Sequence, residues 1–297
     1  MKKKILISTG GSGGHIMPAI TIQDHLNIEY DILISTDLRG LKYLQNSTHK
    51  IVIVDTPKLN NIIFLPFAFI KIFFLIIKSL FLLKKEKIEI LISTGGYMSL
   101  PLCLAAKILN IKIFLIEPNM VIGRANKFFL NFCEKIICYS KNIISFPNKF
   151  ENKLIISNPL IRKKYYEKST KERINKLFTI MVIGGSQGAK IFDKIIHEVI
   201  VNVSKIHSLR IIHQTNQKNI DFLKNYYSEN KIENNVFSFD QNLNIFLSQS
   251  DLCITRAGAS SLAELSILNI PFIAIPLPTA KDNHQLENAN YYKNKDC

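Results

Sequence analysis

Apolar residues recur along this chain in short runs, each separated from the next by a stretch of helical length. In the first half Ile5–Ser8, Tyr30–Ser35, Lys50–Val54, Ile88–Ser93, Lys112–Ile116 and Lys135–Tyr139 read as strands. In the second half Phe178–Ile183, Leu209–His213, Val236–Phe239, Leu252–Thr255 and Pro271–Ile275 do the same. Helices are expected over Met17–Leu26 and from the Gly184–Ala189 turn to about Val203. Short β-rich runs alternating with helix-length spacers predict an α/β chain of doubly wound parallel sheets. Between the halves, Ser157-Asn158-Pro159-Leu160-Ile161-Arg162 reads as a proline-containing linker. It divides the chain into an N-terminal domain, 1–158, and a C-terminal domain, 159–297.

One stretch departs from the alternation. Ile62–Leu83 is about as long as a membrane span, yet it holds Pro66, Lys71 and Lys78. Charge near the bilayer centre is costly, and α/β pattern flanks the segment on both sides. The stretch is read as a crossover helix, either wholly buried or greasy on its outer side. In the second case Lys84, Lys85 and Lys87 would help it lie on an anionic leaflet.

Composition adds two constraints. The 297 residues, 47% hydrophobic and 21% charged, have room for about two globular domains. The net charge of +15 is mostly lysine. It fits an anionic substrate or an anionic membrane surface, and no nucleic-acid-binding motif accompanies it. The cysteines, Cys103, Cys133, Cys138, Cys253 and Cys297, are odd in number and contain no C-x-x-C. Most lie in apolar segments, so free thiols in a reducing compartment are expected, with no metal site.

Chemistry concentrates in glycine turns at predicted strand ends: Gly10-Gly11-Ser12-Gly13-Gly14-His15, Thr94-Gly95-Gly96-Tyr97, and Gly184-Gly185-Ser186-Gln187-Gly188-Ala189. Ligands of open α/β sheets bind outside the carboxyl ends of the strands, and a helix N-terminus there favours an anion. His15 is placed to face such a crevice. Asp37 ends the second strand where a dinucleotide enzyme places its ribose acid, which keeps nicotinamide binding open as an alternative. The densest group is Thr255-Arg256-Ala257-Gly258-Ala259-Ser260-Ser261-Leu262-Ala263-Glu264. Its free N–H groups suit a diphosphate, and Glu264 can accept from both hydroxyls of a ribose. Polar residues between Pro276 and Asn288 then open a helix where sugar hydroxyls can be read.

These turns, together with Glu117-Pro118-Asn119 and Gly123-Arg124-Ala125-Asn126, resemble in order the motifs of the MurG family over essentially the whole chain. Members transfer N-acetylglucosamine from UDP-GlcNAc to lipid I, giving lipid II for peptidoglycan. The resemblance implies a GT-B fold, with two Rossmann-like domains facing a cleft. It also implies an inverting reaction without metal or cofactor, at the cytoplasmic face of the inner membrane. Carried over by position, it makes His15 the candidate base or acceptor-positioning group, with Glu117 as the alternative. Ser12, Gly13 and Gly14 would line the cleft, and Asn119 would contact the GlcNAc. Ser186 and Arg162 would lie near phosphate. Gly258, Ala259, Ser260, Ser261 and Leu262 would hold the diphosphate, Glu264 the ribose, and His284 and Gln285 the sugar.

Three departures stand out. Pro118 replaces the family's usual residue in its loop, and Arg162 is displaced by one position. The chain also stops at Cys297, where the family continues with another strand and helices, so an incomplete second domain is expected. Alternatives to the transferase are an impaired membrane-associated binding fragment and another enzyme of similar fold, such as a UDP-GlcNAc epimerase.

Overall fold

The computed structural model describes residues 2–44, 50–57, 65–166, 177–184, 190–238, 240 and 242–294. The chain divides into two units, Met1–Lys163 and Lys164–Cys297. In the first, β1 (Lys4–Ser8), β2 (Asp31–Thr36), β3 (Ile51–Ile53), β4 (Ile90–Ser93), β5 (Lys112–Glu117), β6 (Lys135–Cys138) and β7 (Leu154–Ile156) form one sheet. Its order is β3-β2-β1-β4-β5-β6-β7, and every pairing is parallel. Strand order reverses between β1 and β4, which makes the crevice beyond their carboxyl ends the place where a ligand fits. Ile5 and Ile7 of β1 and Ile32 and Ile34 of β2 pack with Ile16, Ala19 and Ile22 of helix α1 (Gly13–Leu26).

The second unit repeats the plan. Strands β8 (Phe178–Ile183), β9 (Leu209–Gln214), β10 (Glu233–Phe237), β11 (Leu252–Thr255) and β12 (Phe272–Ala274) are ordered β10-β9-β8-β11-β12, again all parallel. The core against β8 and β9 is Val182, Ile211, Phe192, Ile200, Leu223 and Tyr227. Phe192 and Ile200 come from α6 (Lys190–Ser204), and Leu223 and Tyr227 from α7 (Ile220–Glu229).

Several boundaries differ from the sequence expectation for identifiable reasons. Helix α1 begins at Gly13, not Met17, and carries Pro18 in its second turn, where the missing N–H forgoes one helical bond. Strand β7 was not expected; it is a short edge strand with Ile155 and Ile156 exposed. Strand β10 starts at Glu233, although it was expected from Val236. Glu233 stands opposite Arg210 on β9 and pairs with it at 3.1 Å, so a cross-strand ion pair extends a polar edge strand. The linker stretch belongs to the first unit. Ile161 is buried and its carbonyl accepts from His25 Nε2 at 2.9 Å, while the Leu160 N–H donates to the Tyr139 hydroxyl at 3.2 Å. The division expected after Asn158 therefore falls after Lys163.

Helix α3 (Leu65–Lys85) covers the apolar stretch and packs on α4 (Leu100–Ile108). Ala68, Ile72, Ser79 and Leu83 are buried, whereas Phe67, Phe69, Ile70, Phe73, Phe74 and Phe81 are exposed, Phe67 by 71% and Phe81 by 72%. The wholly buried alternative is therefore excluded: the helix keeps a large apolar face uncovered. It is long and apolar enough to cross a membrane by length and composition alone. Cys103, Cys133, Cys138 and Cys253 are free and buried, and burial pushes the Cys103 and Cys138 thiols up to about 12. Cys297 lies outside the described residues.

Candidate active site

At the switch point of the first sheet, Thr9 and Thr94 continue the strands, their N–H groups donating to Ser35 and Ser8 carbonyls at 2.9 and 3.1 Å. Ser12 caps α1 through its backbone alone: its carbonyl accepts from the His15 and Ile16 N–H groups at 3.1 and 3.2 Å. Gly13 is buried and Gly14 exposed, so this turn reaches the surface at the helix start. His15 is half-buried and bonds through Nδ1 to the Thr94 carbonyl at 2.8 Å. A carbonyl only accepts, so Nδ1 carries the proton, and in the neutral ring Nε2 is the nitrogen with the lone pair. Gly95 and Gly96, at φ of +88° and +85°, lie against the ring; a Cβ on either would sit 3.4 to 3.5 Å from it. The two glycine turns thus form a fixed seat for one imidazole.

Glu117 ends β5 and is buried. Its Oε1 accepts from Asn119 N–H at 3.2 Å and Asn119 Nδ2 at 3.0 Å. Its Oε2 accepts from Gly123 N–H at 2.7 Å and Asn126 Nδ2 at 3.0 Å. The carboxylate therefore closes the loop from Pro118 to helix α5 (Arg124–Phe129), and Asn119 is turned toward it. Four donors on two oxygens make it an anchor of this loop. Arg162 is half-buried at the end of the first unit.

Asp37 is where a ribose acid was expected, but both its oxygens are occupied. Oδ1 accepts from Gly11 and Gly40 N–H groups at 2.8 and 2.9 Å, and Oδ2 from Arg39 Nε at 2.8 Å. The nicotinamide alternative loses its ribose acceptor on this ground.

In the second unit, α9 (Ala259–Ile267) follows β11 directly. Gly258 is its backbone N-cap, and the first helical bond runs from Leu262 N–H to the Gly258 carbonyl at 3.0 Å. The N–H groups of Ala259, Ser260 and Ser261 precede that bond and point out of the helix start, as an anion site requires. Leu262 contributes no contact surface, because its side chain is buried with Ala257 and Tyr292. Glu264 is buried within this helix. In α10 (His284–Lys293), His284 Nδ1 bonds to the Lys281 carbonyl at 2.8 Å, and Gln285 Oε1 accepts from Leu277 N–H at 2.9 Å. Ser186 lies outside the described residues.

Two residues named in the sequence without a role of their own prove to be framework residues here. Arg256 Nη1 donates to the carbonyls of Ile275 and Pro276, both at 3.1 Å, while its guanidinium lies 4.8 Å from the Phe192 ring centroid. Buried Asn288 donates to the Ala257 carbonyl at 3.1 Å. Together they tie the α9 turn to α6, to the segment after β12 and to α10. A cavity of about 750 Å³, bordered by Asp193, His197, Asn216 and Phe222, lies on the β9 side of β8, and its lining among the described residues includes none of the expected donor contacts.

Residues 5–138 match the glycosyltransferase family 28 N-terminal domain, and residues 179–297 match its C-terminal domain. A relative from Pelagibacter ubique is 50% identical over 98% of this chain and 82% of its own length. It is named UDP-N-acetylglucosamine--N-acetylmuramyl-(pentapeptide) pyrophosphoryl-undecaprenol N-acetylglucosamine transferase. The chain belongs to the MurG family. A Rickettsia canadensis relative of the same name is 34% identical over 97% of the chain and 83% of its length. The crystal structure of Acinetobacter baumannii MurG matches at a TM-score of 0.73, with 22% identity, 99% of this chain and 84% of that one covered. The fold is accordingly GT-B-like, two parallel-sheet units flanked by helices. A UDP-GlcNAc 2-epimerase from Neisseria meningitidis also matches, at a TM-score of 0.60 and 14% identity over 99% and 90% of the two chains. Fold alone does not separate these activities; the family does.

Proposed function

We propose that this family member moves N-acetylglucosamine from UDP-GlcNAc to the undecaprenyl-diphosphate-linked muramyl-pentapeptide. The supporting observation is 50% identity, across 98% of the chain, to a relative named for that reaction. The acceptor hydroxyl oxygen attacks the anomeric carbon on the face opposite UDP, and the bond from that carbon to the diphosphate oxygen breaks. The hydroxyl proton passes to His15 Nε2, whose other nitrogen is fixed on Thr94. Negative charge growing on the departing diphosphate is met by the N–H groups opening α9, with Ser186 and Arg162 as further phosphate contacts. Glu264 takes the ribose hydroxyls, and Asn119, His284 and Gln285 orient the sugar. The test is transfer of labelled GlcNAc to a soluble analogue of the lipid-linked acceptor. A β-linked disaccharide is expected. UDP-GlcNAc binding without transfer would instead mean an impaired fragment, and formation of the 2-epimer would mean an epimerase.

The exposed aromatic face of α3 is the surface on which the chain docks peripherally on an anionic, cytoplasmic-facing membrane. Lys78, Lys84 and Lys85 on the same helix are exposed, and Lys71 is paired with Asp55 at 3.6 Å. Aromatic side chains with flanking lysines suit the headgroup boundary. Flotation with anionic vesicles should show binding that weakens with salt. Binding insensitive to salt and to vesicle charge would count against this surface.

A further inference from the structure

We propose that Asp37 and Arg39 are positioning residues for the transfer, holding the two glycine turns that seat His15. The inference rests on the reading of His15 as the group that receives the acceptor proton.

Asp37 is 1% exposed, an unusual place for a carboxylate unless it is fully partnered. It caps α2 (Leu38–Leu41) through Gly40 N–H, as many aspartates cap helices. The same oxygen, however, also accepts from Gly11 N–H, inside the first glycine turn and far away in sequence. Gly10 presses so closely on this carboxylate that a Cβ there would stand 2.9 Å from Oδ1. The second oxygen holds Arg39, with Nη2 at 2.7 Å and Nε at 2.8 Å. Burial alone would raise the pKa of the carboxyl; bonds from Gly11, Arg39 and Gly40 and the Arg39 charge outweigh that and hold it below the ordinary aspartate value.

Arg39 continues the chain of contacts. Its Nη2 donates to the Tyr97 hydroxyl, and its guanidinium lies 5.6 Å from the Tyr97 ring centroid. Tyr97 directly follows Gly95 and Gly96, the residues laid against the His15 ring. One arm thus runs from Asp37 through Gly11 to the start of α1. The other runs through Arg39 and Tyr97 to the second turn. His15 is reached by both, from its own helix and from Thr94. A capping role alone requires neither the Gly11 bond nor a guanidinium on Tyr97. The Arg39 side chain is 43% exposed, so removing it opens no core cavity and leaves Asp37 with both backbone donors.

The test is a double-mutant cycle with Arg39→Gln and Tyr97→Phe in the full chain, read on acceptor kcat and KM, UDP affinity and thermal midpoint. Each single change is expected to lower kcat about tenfold, and the pair together no more than the worse single, because both break the same arm. Acceptor KM should stay within about twofold, UDP affinity should not move, and Tyr97→Phe should leave the thermal midpoint unchanged, whereas Arg39→Gln should lower it because Asp37 Oδ2 loses its cation. Asp37→Asn should lower kcat further by loosening both arms. Additive losses in the cycle, or losses that follow the thermal midpoint, would overturn the positioning role while transfer by the wild-type chain persists. A wild-type chain without transfer would overturn the reaction assignment and this role with it.

Discussion

His15 Nδ1 and the Thr94 carbonyl oxygen lie 2.8 Å apart, joining the helix that follows β1 to the turn that follows β4. The bond fixes the tautomer in which Nε2 accepts a proton. His15→Ala should lower kcat by about 10²-fold or more with UDP affinity intact, the usual size of a general-base contribution. His15→Asn is the sharper probe, since its amide can still donate to Thr94 but cannot take a proton. Equal loss in both variants supports base catalysis. Recovery in His15→Asn, or a loss confined to acceptor KM, would reduce His15 to a positioning group.

Glu117 offers a contrasting outcome. All four of its partners donate, so a glutamine in its place would set an amide N–H₂ against two donors. Glu117→Gln should destabilise the first unit by about 1–3 kcal/mol, the cost of buried unsatisfied groups. Urea unfolding measures this. Unchanged stability with abolished transfer would return Glu117 to the role of base.

The donor half can be probed by UDP binding alone. Glu264→Ala should weaken UDP by about 2–3 kcal/mol if both ribose hydroxyls donate to its carboxylate. Arg256→Lys keeps the charge but gives up the planar face on Phe192 and at least one of the two carbonyl bonds. It should loosen the segment after β12 and weaken UDP-GlcNAc more than UDP, because His284 and Gln285 lie on that side. Calorimetry with both ligands decides; equal weakening would place Arg256 at the diphosphate end only.

Acid sensitivity should have a source far from the chemistry. His213 on β9 is fully buried, with Nδ1 2.8 Å from the Tyr227 hydroxyl and Nε2 3.7 Å from Asp193. Burial outweighs the Asp193 charge and lowers its pKa from 6.5 to about 4. Between those values the unfolded chain binds a proton that the folded chain excludes. Stability should therefore fall as pH falls through that window, by on the order of 1 kcal/mol per pH unit. Asp37, depressed from 3.8, adds a separate loss only at lower pH, as its folded form is protonated. His213→Gln should flatten the first loss and leave the second; urea midpoints at pH 7 and 4.5 read the first, and a further midpoint below 3.8 reads the second.

By itself, the sequence determined the strongly apolar elements. Near-continuous apolar strands such as Ile5–Ser8 and Phe178–Ile183 have little choice of environment, so β1 and β8 end where the pattern ends. The glycine run after β1 breaks the strand before α1 opens at Gly13, and the polar cluster Arg256–Glu264 after β11 opens α9. Weak local signals were decided by the tertiary structure. The short edge strand β7, the polar start of β10 beside Arg210 and the attachment of Ile161 to the first unit all depend on partners distant in sequence. The same holds for the acids. Asp37 and Glu117 are adjacent to candidate turns in the sequence, and either fits a ligand-binding or catalytic role there. Only folding brings Gly11 and Arg39 to one, and Asn119, Gly123 and Asn126 to the other, filling their oxygens with protein donors. A carboxylate's type can be read from one position; its free valence depends on what the fold places around it.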